Sequence, residues 1–168
     1  MSKPIPMDLR EQADASLREV MSIYPTGVTV VAASDPDGSP YGLTVNSFTS
    51  LSLEPPLVLV CIGHTSSSHA RLIVAPAFTV NVLAADQEEV ASRFSRDPSE
   101  GRFQDFPWRR AVSGAPVLDG VAAWLECSVH EVLAGGDHSI VVGRVQRSAV
   151  SDRPALLFHR GRLGPTAK

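Results

Sequence analysis

The chain has 168 residues, of which 43% are hydrophobic and 20% charged, with a formal net charge of −3 at pH 7. This length fits one domain with enough apolar content to bury a sizeable core. No block of like charge and no apolar run of roughly 20 residues occurs, so we expect neither a broad nucleic-acid-binding surface nor a membrane-spanning helix. The first eight residues lack the regions of a secretory signal, and two cysteines are too few for a disulfide framework. We therefore expect a cytoplasmic protein in which Cys61 and Cys127 are small buried hydrophobes.

Strand patterns predominate along the chain, with helical patterns inserted at a few places. Helices are predicted for Asp8 to Tyr24, for Ser66 to Val74 with a serine cap, and for Asp86 to about Ser95 with Asp86 as the cap. The strand patterns, rich in β-branched residues, cover Thr26 to Ala33, a segment beginning near Pro40, Leu57 to Ile62, Ala77 to Leu83, Val121 to Leu133, His138 to Val150 and Leu156 to Phe158.

Two turn signals join strands into antiparallel hairpins. One is Asp35-Pro36-Asp37-Gly38 and the other is Ala134-Gly135-Gly136-Asp137. Short strands joined by hairpins, with helices inserted at a few places, predict a mostly β fold with inserted helices, arranged as a small antiparallel barrel. The βαβ alternation, the Gly-x-Gly-x-x-Gly motif and the P-loop do not occur in the sequence, which argues against a Rossmann nucleotide site.

The stretch from Gly42 to Cys61 contains a strand, a hydroxyl-rich segment, the turn Pro55-Pro56 and a second, wholly apolar strand. The second strand shows no alternation, so we expect it to be covered on both faces. If the strands before and after the turn pair with each other, Cys61 and Gly63 return beside Val45 and Leu43. This pairing would also bring Ser66, Ser67 and Ser68 near Thr44, Asn46 and Ser47, forming a groove lined with hydrogen-bond donors and an anion site. An ordinary helix cap with solvent-facing threonines would explain the same residues.

Several other features of the sequence bear on function. The segment Ser95 to Pro116 has no clean period and is predicted to be a long surface loop, whose aromatic part from Phe103 to Trp108 would cover part of the groove. Cys61, His64 and His69 lack a second paired ligand motif, so no metal site is expected. His130 is predicted to be an exposed polar position.

Three motifs carry a resemblance to a known family: Tyr-Pro-Thr-Gly-Val-Thr-Val-Val at 24–31, Gly-Leu-Thr-Val-Asn-Ser-Phe-Thr-Ser-Leu-Ser-Leu-Glu-Pro-Pro-Leu at 42–57, and Gly-Gly-Asp-His-Ser-Ile-Val-Val-Gly-Arg-Val at 135–145. In order and spacing they resemble the flavin reductase family, the reductase components of two-component flavin-dependent monooxygenases. The resemblance covers a domain at residues 16–164, which follows an N-terminal arm and the start of the first helix at residues 1–15. It implies an antiparallel split β-barrel, a homodimer, binding of FMN or FAD, oxidation of NADH or NADPH, and a monooxygenase partner that receives the reduced flavin.

The resemblance also implies roles for particular residues. Thr44, Val45, Asn46 and Ser47 would lie along the flavin with Ser50 nearby, Cys61, Ile62 and Gly63 would give backbone contacts, Ser67 and Ser68 would approach the phosphate, and Arg93 and Phe94 would be further cofactor contacts. His138 would face the nicotinamide as the catalytic-site histidine, and His159, Arg160 and Gly161 would complete the nicotinamide nucleotide site. The C-terminal piece reads Phe-His-Arg-Gly-Arg here, where versions containing tyrosine are also common in the family.

Hydride transfer between nicotinamide and flavin is chemistry that the cofactors supply, so no acid–base pair is required of the protein. This agrees with the lack of an obvious catalytic dyad in the sequence. Two other classes stay open at this point: a flavin-binding carrier or sensor without turnover, and an FMN oxidase of the pyridoxamine-phosphate type. Flavin titration without nicotinamide oxidation would favour the first class, and tightly held FMN reduced by an amine would favour the second.

Overall fold

A computed structural model describes residues 15–96 and 101–165 of the chain. The predicted arm at residues 1–15, except Ala15, and the predicted helix start at Asp8 lie outside the described residues. No helix in the described part is both long and apolar enough to cross a membrane.

The described elements are mostly strands. In chain order they are α1 (Leu17–Ile23), β1 (Thr26–Gly27), β2 (Thr29–Ser34), β3 (Pro40–Val45), β4 (Thr49–Ser52), β5 (Leu57–Gly63), α2 (His69–Leu72), β6 (Ala77–Val82), α3 (Glu88–Phe94), a 3-10 helix (Arg102–Gln104), β7 (Trp108–Arg110), β8 (Pro116–Leu118), β9 (Ala123–Gly135), β10 (His138–Val150), β11 (Leu156–His159) and β12 (Arg162–Pro165).

The strands form three sheets. The largest has seven strands in the order β3-β2-β6-β9-β10-β5-β4, and smaller sheets join β1-β11-β12 and β7-β8. Every pairing between the described strands is antiparallel. The predicted mostly β, antiparallel fold with inserted helices is therefore confirmed.

Both predicted hairpins are confirmed. At the β2–β3 turn the Gly38 amide donates to the Asp35 carbonyl at 2.8 Å, and Gly38 has a φ of +86°. At the β9–β10 turn His138 lies opposite Gly135, and Gly136 has a φ of +74°. Glycine adopts positive φ without a steric penalty, which is why each turn closes at a glycine.

Two cores lie on opposite faces of β2, because successive side chains of a strand point to opposite sides. Val31 and Ala33 enter the first core, which is lined mainly by β3, β5, β6, β10 and α2. Val30 and Ala32 enter the second core, which is formed with α3, the 3-10 helix and the smaller sheets. The two cores hold the strand ends that carry the candidate site.

The predicted pairing across the double proline is wrong. β3 ends at Val45, and the chain continues into β4. It is β4 that pairs with β5, placing Thr49 opposite Leu59. Val45 lies opposite Thr29 in β2 instead. One edge of β3 is thus paired with β2, and Cys61 lies opposite Ile140 of β10.

The expectation that β5 is covered on both faces is also wrong. Val58, Val60 and Ile62 are buried in the first core, whereas Leu57 and Cys61 on the other face are only half-buried. Cys127 is fully buried as predicted, and burial, with the nearby Glu126 charge, raises the pKa of its thiol to about 12.

The helices are shorter than predicted, and their caps differ. The helix α1 begins after Ser16, which has an extended backbone and forms a capping box with Glu19. The predicted helix from Asp8 to Tyr24 is therefore not continuous through Ser16. Ser68 precedes α2 but makes no side-chain cap, so the predicted serine cap is wrong. The residue that precedes α3 is Gln87, so the predicted Asp86 cap is wrong, and the Asp86 carboxylate pairs with Arg153 at 2.5 Å.

Within the described residues, the predicted surface loop from Ser95 to Pro116 contains the 3-10 helix, β7 and the start of β8. Its aromatic side chains pack into the second core: Phe103 is 6% exposed and meets Phe94 edge-on at 4.8 Å between ring centroids, and Trp108 contacts Phe103 at 5.6 Å. The hypothesis that this segment covers the groove is therefore wrong. Arg102 reinforces the packing by donating to the carbonyls of Gly42 at 2.7 Å and Phe94 at 2.9 Å.

At Gly143 the backbone lies so close to side chains of the first core that adding one methyl group should destabilise the fold. In the variant Gly143→Ala, the new Cβ would lie 2.4 Å from Cζ of Phe78 and 2.9 Å from Cβ of Cys127, both fully buried. We expect the free energy of unfolding to fall by about 1–3 kcal/mol, as for an overpacked core. Urea denaturation measures the change.

The matched control is Gly27→Ala, because a methyl group there meets nothing within 4 Å. Its unfolding free energy should stay within about 0.5 kcal/mol of the parent. Equal effects of the two variants would show that the contact at Phe78 does not govern stability.

Candidate active site

His138 lies beside two glycines of the neighbouring strands. It is the first residue of β10, and its neighbours across the two strand pairings are Gly63 of β5 and Gly135 of β9. Neither neighbour has a side chain, so the imidazole lies over Gly63, while the space at Gly135 is taken by the Ile140 side chain, whose Cγ1 atom a methyl group there would meet at 3.0 Å. The side chain of His138 is 45% exposed.

Asp137 orients the His138 ring. Its Oδ1 atom lies 2.6 Å from Nδ1 of His138, and this hydrogen bond together with the charges of His138 and His64 lowers the pKa of the Asp137 carboxyl. A carboxylate on one ring nitrogen fixes which nitrogen points elsewhere. The nitrogen Nε2 consequently points over Gly63, where a methyl group would lie 3.5 Å from it.

The loop after β5 wraps around the hairpin tip. The amide of His64 donates to the Asp137 carbonyl at 3.0 Å, and the amides of Ser66 and His69 close two successive turns. Ser67 is exposed, while Ser68 is fully buried and its hydroxyl has no hydrogen-bond partner among the described residues. A buried hydroxyl without a partner costs about 1–3 kcal/mol, a cost that a bound polar ligand would remove.

The Ser47 side chain bonds to the edge of β5 at Cys61, beyond the pairing with β4. Its hydroxyl donates to the Cys61 carbonyl at 2.8 Å and accepts from the Cys61 amide at 3.2 Å. The backbone groups that the resemblance assigned to the cofactor at Cys61 are thus already bonded to Ser47. A ligand at this edge would meet Ser47 first.

A second part of the candidate site is a cavity of about 270 Å³ at the end of β3. Thr44 and Asn46 line one side, Ala91 and Ser92 of α3 line another, and the β11–β12 turn contributes Gly161. The hydroxyl of Thr44 donates to the Ala91 carbonyl at 2.7 Å, which fixes α3 against β3. The structure therefore brings Thr44 and Asn46 together with the C-terminal turn.

The two parts adjoin through the backbone. Asn46 lines the cavity and Ser47 bonds to Cys61, and consecutive Cα atoms are only about 3.8 Å apart. The hydroxyl-rich segment predicted as a groove thus links the cavity to the strand that carries Gly63.

The C-terminal turn is basic. Arg160 and Gly161 have φ angles of +51° and +75°, and His159 lies opposite Arg162. His159, Arg160 and Arg162 line a further cavity of about 660 Å³ beside Pro25. Arg162 is a candidate anion contact that sequence reasoning did not single out, although the adjacent basic residues could have indicated it.

Other predicted residues contribute less than expected. Val45, Ile62 and Phe94 have their side chains in the two cores, so only their backbones are placed to meet a ligand. Arg93 is half-buried, with its Nε atom 3.1 Å from Asp105, and Ser50 is exposed on β4.

Sequence reasoning also missed a polar cluster beside His138. Ser139 Oγ lies 2.9 Å from Nε2 of His69 and 3.4 Å from Nε2 of His64. Neither histidine belongs to a group of three or more metal-binding side chains within the described ranges. The position of Ser139 directly after His138 was the available signal.

The family model "Flavin reductase like domain" matches residues 21–167. The match spans most of the chain, and the protein belongs to this family. A relative from Rhizobium meliloti (strain 1021), the stachydrine N-demethylase reductase subunit, is 46% identical over 146 residues, which are 87% of this chain and 63% of that protein. The reductase component of the flavin-dependent trigonelline monooxygenase from Acinetobacter baylyi is 40% identical over 90% of this chain and 49% of its own. The chain thus spans only part of the length of each relative.

A solved structure is similar over nearly its whole length. The NADH:FAD oxidoreductase of Streptomyces globisporus, in complex with NAD and FAD fragments, is 41% identical with a TM-score of 0.84, and the match covers 99% of this chain and 98% of that one. The residues present here fit a flavin: the Ser68 hydroxyl, which has no hydrogen-bond partner among the described residues, suits a phosphate, and the half-exposed ring of His138 is accessible to a planar ligand.

Proposed function

We propose that this protein reduces FMN or FAD with NADH or NADPH and supplies the reduced flavin to a separate monooxygenase. The observation that carries the proposal is the position of His138, whose half-exposed ring is oriented by Asp137 and lies over Gly63. The family match and the names of the relatives, two of which are reductase parts of larger oxidative systems, support the same reading.

When bound, the flavin and the nicotinamide supply the hydride-transfer chemistry. The residues of this chain bind and orient. Ser68 and Ser67 would hold the flavin phosphate, and Thr44, Asn46 and Ser47 would line the edge of the ring system. His138, with its ring fixed by Asp137, would orient the nicotinamide, and the basic turn at Arg160 would hold the rest of that nucleotide. Such positioning matters because hydride transfer needs reacting atoms within roughly 3–3.5 Å.

We propose a split β-barrel for the main sheet. Support comes from the first core, where β3 and β5 supply buried side chains although four strands separate them in the sheet order. A sheet whose distant strands share one core must curl around it.

We further propose a homodimer acting in the cytoplasm. The apolar side chains of α1 are exposed by more than half: Leu17 by 77%, Val20 by 54%, Met21 by 51% and Ile23 by 52%. An exposed apolar patch of this kind is typical of an interaction surface. Both cysteines are free thiols, as a reducing compartment requires.

The dimer proposal predicts a doubled mass in solution. Sedimentation equilibrium should give about twice the 17.9 kDa of one chain. Replacing Val20 and Met21 together by Glu should shift the equilibrium towards the single chain. A parent protein that sediments as one chain at high concentration would exclude the dimer.

The proposed reaction is tested by mixing the purified protein with free FMN or FAD and with NADH or NADPH, in all four combinations. We expect the absorbance of the reduced nicotinamide at about 340 nm to fall faster when flavin is present, in at least one combination. Flavin binding without oxidation of either nicotinamide would instead favour a carrier or sensor.

His138→Ala should raise the KM for the nicotinamide nucleotide by about tenfold or more, because the group that orients it is lost. Flavin affinity, measured by fluorescence titration, should change much less, since Ser68 and Ser47 remain. His130→Ala is the matched control, because His130 is an exposed histidine on the same hairpin. An unchanged nicotinamide KM in His138→Ala would remove the role given to this residue.

A further inference from the structure

We infer that His69 and Ser139 are positioning residues, which hold the hairpin tip so that His138 stays over Gly63. The inference rests on the proposed function for its kinetic consequence. Its structural part, the fixing of the hairpin tip, can be tested without any cofactor.

The tip of the β9–β10 hairpin is paired with the rest of the sheet along its β10 edge only. On the β9 side, pairing with β6 covers only residues 123–128, and every residue from His130 to Asp137 is exposed. On the β10 side, pairing with β5 ends at Gly63, opposite His138. The tip is therefore held along one edge only, and a small rotation there would move the His138 ring.

Ser139 is placed to stop that rotation. It lies opposite Ile62, whose side chain is fully buried in the first core, so Ser139 faces the core side while His138 faces the other. Its hydroxyl is 2.9 Å from Nε2 of His69 and 3.4 Å from Nε2 of His64. A hydroxyl has one proton and two lone pairs, so it can bond to both rings at once.

His69 is a firm anchor because α2 is fixed to the body of the domain. Leu72 of α2 is fully buried in the first core. Arg71 forms an ion pair with Asp35 at the β2–β3 turn, and its guanidinium lies 3.9 Å from the centroid of the Tyr41 ring. The bond from His69 to Ser139 thus connects the hairpin tip to packed structure.

His64 contributes a second, weaker connection. Its ring meets that of His69 edge-on at 4.9 Å, and its backbone amide donates to the carbonyl of Asp137, next to His138. The amide bond does not depend on the side chain. Removing the His64 ring should therefore disturb the tip less than removing the His69 ring.

The test compares Ser139→Ala and His69→Ala with the parent protein. Each should raise the nicotinamide KM by about three- to tenfold, the size of one lost hydrogen bond, with kcat changed less. The double variant should resemble Ser139→Ala alone, because that substitution already removes the bond to His69. His69→Gln can still reach the hydroxyl of Ser139 and should restore most of the lost affinity. His130→Ala should leave the KM unchanged.

A second measurement separates this inference from the proposed function. Hydrogen exchange at residues 132–140, followed by mass spectrometry without cofactors, should become faster in Ser139→Ala and His69→Ala but not in His130→Ala. Unchanged exchange, or additive effects of the two substitutions on KM, would overturn the positioning role. If the parent protein oxidises no nicotinamide while exchange at the tip still responds as expected, the proposed function fails and the structural inference stands.

Discussion

The pairing of β9 with β10 is the constraint on which the rest of the structure depends. Each strand has 13 residues, and the outer edges of the hairpin pair with β6 and with β5. Those two strands and their neighbours enclose the first core, so the hairpin decides where β5 runs. Because β5 carries Gly63 and the loop that contains Ser68, the same hairpin sets the geometry of the candidate site, with His138 at its tip.

The elements with strong local signals could be predicted from the sequence. Turn glycines such as Gly38 and Gly136 indicated both hairpins, since the residue that closes each turn needs positive φ. Thr44 and Asn46 of the hydroxyl-rich segment line a cavity that Gly161 shares, although the strand pairing from which the groove was predicted is wrong. His138 was located by the turn that precedes it.

The errors arose where non-local contacts decide the structure. The double proline suggested that β3 pairs with β5. Instead the short strand β4, which lies between them in the sequence, pairs with β5, and β3 pairs with β2. The aromatic residues around Phe103 showed no period because they fill the second core from a 3-10 helix and a short hairpin. The bond between His69 and Ser139 joins residues 70 positions apart, so the sequence beside His138 indicated Ser139 but not its partner.

The position of the His138 ring over Gly63 makes the proposed chemistry depend on correct folding of the chain. Gly63 leaves the space that the His138 ring occupies, so this arrangement exists only when β10 and β5 pair in register. A slip of one residue would turn the His138 ring to the opposite face of the sheet and would bring a different side chain opposite Gly63. A misregistered molecule could thus retain most of its backbone hydrogen bonds and still lack the site. For this protein, the fraction of active molecules in a preparation would measure the accuracy of strand pairing.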